Sequence, residues 1–338
     1  MKFLVSAISM VLAAGVPASA QVVGAPQTGT QKPSEPQPRL HRVPAQPGER
    51  SPSAPQPQVR MGEPQMVMRM RPRSEPPAFT GNSGQTALTH TEVYPIVDVV
   101  IAGRTFHFIV DTGAMGHGRV KPEVATALGL GVSGTVQAGD GSGRVQDRRQ
   151  FSVPVLTVAG VEFRNLDMAE YVSPPGRATH FDGVLGLGMF VGHTLTLDYS
   201  RGQLRLSQDP LPATAVTYDN SRGPILMPLM IGATALPTVL DTGNAIAGLI
   251  VPADVASGLP KRGEPRAAGR GGTAYSTVEF FEIDLAAPVT LGGSQLPITR
   301  ASYPSLGPVG NMGSKALQSG SVTIDQRNSR IQVTQSGS

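Results

Sequence analysis

The chain has 338 residues, with 28 Lys and Arg against 24 Asp and Glu, a formal net charge of +4, and neither cysteine nor tryptophan. No basic stripe interleaved with aromatics marks a nucleic-acid surface, and the missing thiols exclude a cysteine nucleophile, thiolate metal sites, disulfides and a lipid-modified cysteine. With 40 Gly and 31 Pro, helices should be short, and strands and turns many.

Residues 1–20 read as a secretory signal peptide: Lys2, a mostly apolar run from Phe3 to Val16, and Ala18-Ser19-Ala20 ahead of Gln21. The run is too short to span a bilayer, so the expectation is an exported protein, periplasmic or secreted, with no integral membrane span in its mature form. An uncleaved anchor is the rival reading. From residue 21 to 86, proline recurs among Gln, Ser, Arg and Glu, and apolar residues are too sparse to offset ordering entropy, so this segment is expected to be disordered. Met66-Val67-Met68-Arg69-Met70 alternates inside it as a strand would, and its methionines could equally hold a soft metal such as Cu(I).

Next comes Phe108-Ile109-Val110-Asp111-Thr112-Gly113-Ala114, an apolar run that delivers a carboxylate into a tight turn. The pattern returns as Thr238-Val239-Leu240-Asp241-Thr242-Gly243-Asn244. Its neighbours return in register. Val99 to Gly103 aligns with Leu229 to Ala233, Val120-Lys121-Pro122 with Ile250-Val251-Pro252, and Gly139 to Gly143 with Gly269 to Thr273. Each proline should open a short helix. Further on, Leu156 to Gly160 answers Val289 to Gly293, and Leu195 to Asp198 answers Val322 to Asp325. One unit of domain size is used twice, too long a period for a solenoid.

The glycine clusters begin 28 residues after each aspartate, as hairpin turns or as flaps over a cleft, and the stretch Lys261 to Gly272 reads as an exposed loop leading into the second. A proline-rich connection from Ser207 to Gly223 joins the repeats. Other chemistries fail on their motifs: there is no G-x-S-x-G elbow, Walker A sequence or H-E-x-x-H. His107 and His117 flank Asp111, but no third metal ligand is evident and both imidazoles are better placed as loop caps.

The repeat resembles the aspartic peptidases over about residues 88 to 335. Phe181-Asp182-Gly183-Val184-Leu185-Gly186-Leu187-Gly188 is similar to that family's apolar-apolar-Gly segment behind the catalytic loop, and Val309-Gly310-Asn311-Met312-Gly313 is its counterpart, with Asn311 at an apolar position. The resemblance implies an all-β fold of two pseudo-symmetric lobes, residues 87–208 and 209–335, with short helices. Asp111 and Asp241 would form the catalytic dyad, Thr112 and Thr242 would lock the loops together, and the Gly113 and Gly243 amides would bond the carboxylates. Gly139, Gly141, Gly143, Gly271, Gly272 and Tyr275 are flap candidates.

Two glycine-rich hairpins, short lobes and Ala114 lean toward the retroviral type, as though its dimer were fused in one chain. By the same resemblance, residues 21–86 could include a prosegment. The implied activity is that of a monomeric endopeptidase acting on polypeptides without a metal or other cofactor. Ala114 lacks the hydroxyl that pepsin-like enzymes place there, so the acid limb of activity should sit high, while the Asn244 amide could still donate to Asp241. The alternative is a catalytically inactive two-lobed peptide-binding module of the cell envelope, kept open by Asn244 and Asn311.

Overall fold

The computed structural model describes residues 3–5, 11–12, 76–89, 94–139, 145–173, 180–221, 223–272 and 277–335. The methionine-rich stretch Met66 to Met70, the flap candidates Gly141, Gly143 and Tyr275, and most of segment 21–86 lie outside them. The fold is mostly β, with helices only at Pro122–Ala127 and Ala253–Gly258 and two short 3-10 turns among the described residues. Both helices start where proline was expected to start them, Pro122 inside the first turn and Pro252 as the residue before it. The fixed φ of proline suits a helix start, where an amide hydrogen would have no partner.

In the N-terminal half the strands run side by side in the order Val145–Val158, Ile96–Ile101, Arg104–Asp111, Gly183–Gly186, Gly118–Val120, Val161–Glu170. The last pairs again with the first, which closes a barrel and removes its edges. Arg104–Asp111 alternates at its start and is buried through Phe108 to Asp111, because it lies between two neighbours with its end inside the molecule. Gly183–Gly186 runs parallel to it, setting Val184 against Ile109 and Gly186 against Asp111.

The C-terminal half repeats this circuit. Leu226–Ile231, Thr234–Asp241, Gly310–Gly313, Leu249–Ile250, Arg300–Tyr303 and Thr277–Leu285 follow one another, with Asn311 against Val239 and Gly313 against Asp241. The two long strands that close the first barrel are broken here, between Leu285 and Val289 and between Leu296 and Arg300. Pro288 and Pro297 stand in the breaks, where an absent N–H costs no ladder bond.

A third sheet takes strands from both halves in the order Val216–Thr217, Arg330–Gln335, Gly320–Asp325, Thr194–Asp198, Gln203–Ser207, Gly84–Ala87. At its centre the repeated segments meet each other. Leu195 faces Ile324, Thr196 faces Thr323 and Leu197 faces Val322, with the threonine hydroxyls 3.1 Å apart. The hydrophobic core is continuous through both halves and this sheet, from Val97, Phe108 and Leu185 through Leu195 and Ile324 to Leu240 and Met312.

Two boundaries differ from expectation. Strand Ala78–Thr80 and all but the last residue of Gly84–Ala87 lie inside the stretch assigned by composition to the proline-rich segment, so ordered chain begins before residue 87. Lys261–Gly272 is a strand paired with Thr277–Leu285 rather than a loop. Its residues Lys261 to Arg270 are exposed whichever way they point, which erases the alternation that marks a half-buried strand. The glycines Gly271 and Gly272 therefore end a strand.

Candidate active site

Asp111 and Asp241 end equivalent strands, Arg104–Asp111 and Thr234–Asp241, and are 1% and 0% exposed. After each, the chain turns back on itself, with Ala114 N–H donating to Asp111 O at 3.1 Å and Asn244 N–H to Asp241 O at 3.0 Å. A buried carboxyl needs partners. Asp111 Oδ1 accepts the Gly113 N–H at 2.8 Å and the Ala114 N–H at 3.0 Å.

The two turns are clasped by their threonines. Thr112 Oγ1 donates to Leu240 O at 2.9 Å and accepts the Thr242 N–H at 3.0 Å. Thr242 Oγ1 donates to Val110 O at 2.7 Å and accepts the Thr112 N–H at 3.0 Å. Each hydroxyl thus satisfies one donor and one acceptor of the opposite turn, all of them buried.

This clasp puts each carboxyl over the other turn's glycine. A Cβ at Gly113 would lie 2.6 Å from Asp241 Oδ1, and one at Gly243 would lie 2.5 Å from Asp111 Cγ. Only glycine lets the backbones approach this closely, which gives the third letter of Asp-Thr-Gly a steric reason. The carboxyls contact one another, and burial first, then the nearby Asp111 charge, push the Asp241 carboxyl well above the usual carboxylate range. The Asn311 amide and the Gly243 N–H act in the opposite sense without reversing it. Asp241 Oδ1 has no hydrogen-bond donor among the described residues. Two carboxylate oxygens cannot bond each other without a hydrogen, so the contact between the acids calls for one shared proton.

Asn311 departs from expectation in a productive way. Its Nδ2 donates to Asp241 Oδ2 at 2.9 Å, and its Oδ1 accepts from Asn244 Nδ2 at 2.7 Å. The Asn244 amide therefore reaches Asp241 only through Asn311, which corrects the expectation of a direct bond. Around Asp111 the equivalent positions are Ala114 and Val184, packed in a small apolar cluster with Ile96, Ile109, Tyr171 and Phe181. Asn311 is the residue whose role sequence reasoning missed; its partner lies 67 positions away, and the signal would have been that both apolar positions change to asparagine together.

The flap candidates among the described residues fall at strand ends. Gly139 closes strand Val132–Gly139, which pairs with Val145–Val158, and Gly271 and Gly272 close the corresponding strand of the second half. The flanking histidines find partners elsewhere in the first barrel. His107 is exposed with Nδ1 2.7 Å from Asp98 Oδ1, and His117 Nδ1 accepts the Asp167 N–H at 3.0 Å.

A family model, Aspartyl protease, matches residues 97–189, the span from the first barrel strand through Asp111 to Met189. No curated protein sequence matches the chain. The family match supports an aspartic protease family, and with it hydrolase chemistry on a polypeptide. No helix among the described residues is long and apolar enough to cross a membrane.

Proposed function

We propose that the chain is an exported aspartic endopeptidase of two lobes fused in one polypeptide, cleaving peptide bonds with a water held between Asp111 and Asp241. The observation that carries the reading is the reciprocal threonine clasp, which brings two buried carboxyls into contact from turns 130 residues apart. Nothing in a peptide-binding groove requires such a pair, and burying two acids together is costly even when they share a proton.

The assignment of roles follows from the partners. Asp111 accepts two backbone N–H groups, which suits an anion, while the environment of Asp241 favours its neutral form. The Asp111 carboxylate takes a proton from the water as its oxygen attacks the scissile carbonyl carbon, and Asp241 gives its proton to the carbonyl oxygen. In the tetrahedral intermediate both hydroxyls sit on one carbon. Collapse breaks the C–N bond, Asp111 passes its proton to the leaving nitrogen, and Asp241 recovers one from the hydroxyl that becomes the new carbonyl. The pair returns to its starting state, with no covalent enzyme intermediate. The hairpins ending at Gly139 and Gly272 would cover the substrate, and the leader at residues 1–20 would direct the body out of the cytoplasm, where it works as a monomer.

The test is to incubate the mature protein and its Asp111→Asn and Asp241→Asn variants with an unfolded protein and read fragments by mass spectrometry. Fragments from the wild type alone support the reading. Binding of the unfolded chain without cleavage would assign a peptide-binding module instead, and near-normal cleavage by either variant would refute the dyad.

A further inference from the structure

The two halves present their carboxyls alike and differ beside them at one pair of positions. Ala114 and Val184 stand beside Asp111; Asn244 and Asn311 occupy the same places beside Asp241, with Val184 set against Ile109 and Asn311 against Val239 in equivalent registers. All four side chains are buried. Two amides in a position that the other half fills with hydrocarbon would each be a liability without partners, and every one of their oxygens and nitrogens has one. Ile246 N–H donates to Asn244 Oδ1 at 2.9 Å, Asn244 Nδ2 to Asn311 Oδ1 at 2.7 Å, and Asn311 Nδ2 to Asp241 Oδ2 at 2.9 Å.

The direction of this relay is not free. An asparagine can be turned over to exchange its oxygen and nitrogen, but a backbone N–H can only donate. Because Ile246 N–H donates to Asn244, that residue must present its oxygen there and its nitrogen to Asn311; Asn311 must then present its nitrogen to Asp241. Asp241 Oδ2 is held as an acceptor. A proton on that oxygen directed at Asn311 would oppose the N–H, so a neutral Asp241 carries its proton on Oδ1, the oxygen that lies over the Gly113 turn and has no donor of its own.

We propose that the Ile246–Asn244–Asn311 relay places the shared proton, making Asp241 the acid and Asp111 the base and so removing the equivalence that two matching Asp-Thr-Gly turns would otherwise have. This rests on the dyad reading given above. Asn311 is a positioning residue: it bonds the oxygen of Asp241 that does not react. It has a second effect, since an N–H directed at a carboxyl favours its anion and keeps a buried acid strong enough to release its proton to the substrate. Asp111 is the one charged group acting on Asp241 among the described residues; Lys315, on the turn after Gly310–Gly313, is directed at Ile246 O at 2.9 Å.

The experiment replaces the relay with the apolar pair that the other half already uses, Asn244→Ala with Asn311→Val, and follows the aspartate carboxyls by 13C NMR titration beside the pH profile of kcat/KM. The titration needs no turnover. In the double variant the upper ionisation of the pair should rise by about one pH unit, the alkaline limb of kcat/KM should move with it, and kcat should fall about ten-fold with KM little changed. In the wild type, the side-chain N–H signals of Asn311 should shift with that same ionisation, a readout that survives if the variant does not fold. An upper ionisation unmoved in a folded variant, or Asn311 signals indifferent to it, overturns the relay. A moved ionisation in a protein that cleaves nothing leaves the relay standing and removes the peptidase reading.

Discussion

Thr112 and Thr242 exchange the same bond in both directions, each hydroxyl accepting the other residue's N–H at 3.0 Å. The relation is possible only because the two turns approach with the same geometry from opposite sides, and it makes the turns one structural unit.

Breaking that unit from one side should be costly. Thr112→Val leaves the Leu240 carbonyl and the Thr242 N–H buried without a partner. Each orphaned group costs about 1–3 kcal/mol, so chemical denaturation should show a loss of roughly 2–6 kcal/mol. Thr112→Ser keeps the hydroxyl and should lose less than about 1 kcal/mol. Equal losses in the two variants would mean that the methyl, and not the hydroxyl, holds the turn.

The raised ionisation of Asp241 has a stability consequence whose sign can be worked out. An unfolded aspartate ionises near about 3.9, and the folded Asp241 well above that. Between those values the folded chain holds a proton that the unfolded chain has lost, so stability declines as pH rises through the window and stays reduced above it. Asp241→Asn removes the penalty. Its Tm relative to wild type should be more favourable at pH 7 than at pH 3.5, by about 2–4 °C for each kcal/mol relieved. A difference between the proteins that does not change with pH would show that Asp241 is not neutral in the fold.

Ala114 bears on the acid side of the activity profile. Its side chain is fully buried, and only its backbone N–H reaches Asp111. Ala114→Ser would add a hydroxyl donor beside Asp111 and should move the acid limb of kcat/KM to lower pH. The comparison is kcat/KM against pH for both proteins, and an acid limb that stays in place in the serine variant would show that this position does not set it.

Much of this arrangement was legible in the chain because repetition carries information that a single motif does not. Asp111 and Asp241, their strands, the helices begun at Pro122 and after Pro252, and the segments Gly183–Gly186 and Gly310–Gly313 all follow from matching two copies. What escaped is what each copy does alone. Asn311 reads as a defect at an apolar position, because its justification is Asn244 and the acid beyond it, brought near only by folding. Lys261–Gly272 reads as a loop since its charged and glycine residues show no buried face, and its strand character comes from pairing with Thr277–Leu285. Ala78–Thr80 was hidden by its proline-rich surroundings; Phe79 is placed by the rings of Phe163 and His193, far along the chain.

The central pairing of Leu195–Leu197 with Val322–Ile324 is reciprocal about Thr196 and Thr323. A strand that matches its own repeat in this way matches the repeat in any other copy of the chain equally well, because local contacts cannot tell one molecule's second half from another's. The connection from Ser207 to Gly223 ties the halves in one chain and favours the internal pairing by holding the partner at an effective concentration of roughly millimolar. Shortening that connection until it no longer spans the join would turn the same surfaces outward and yield exchanged dimers, each site assembled from two chains.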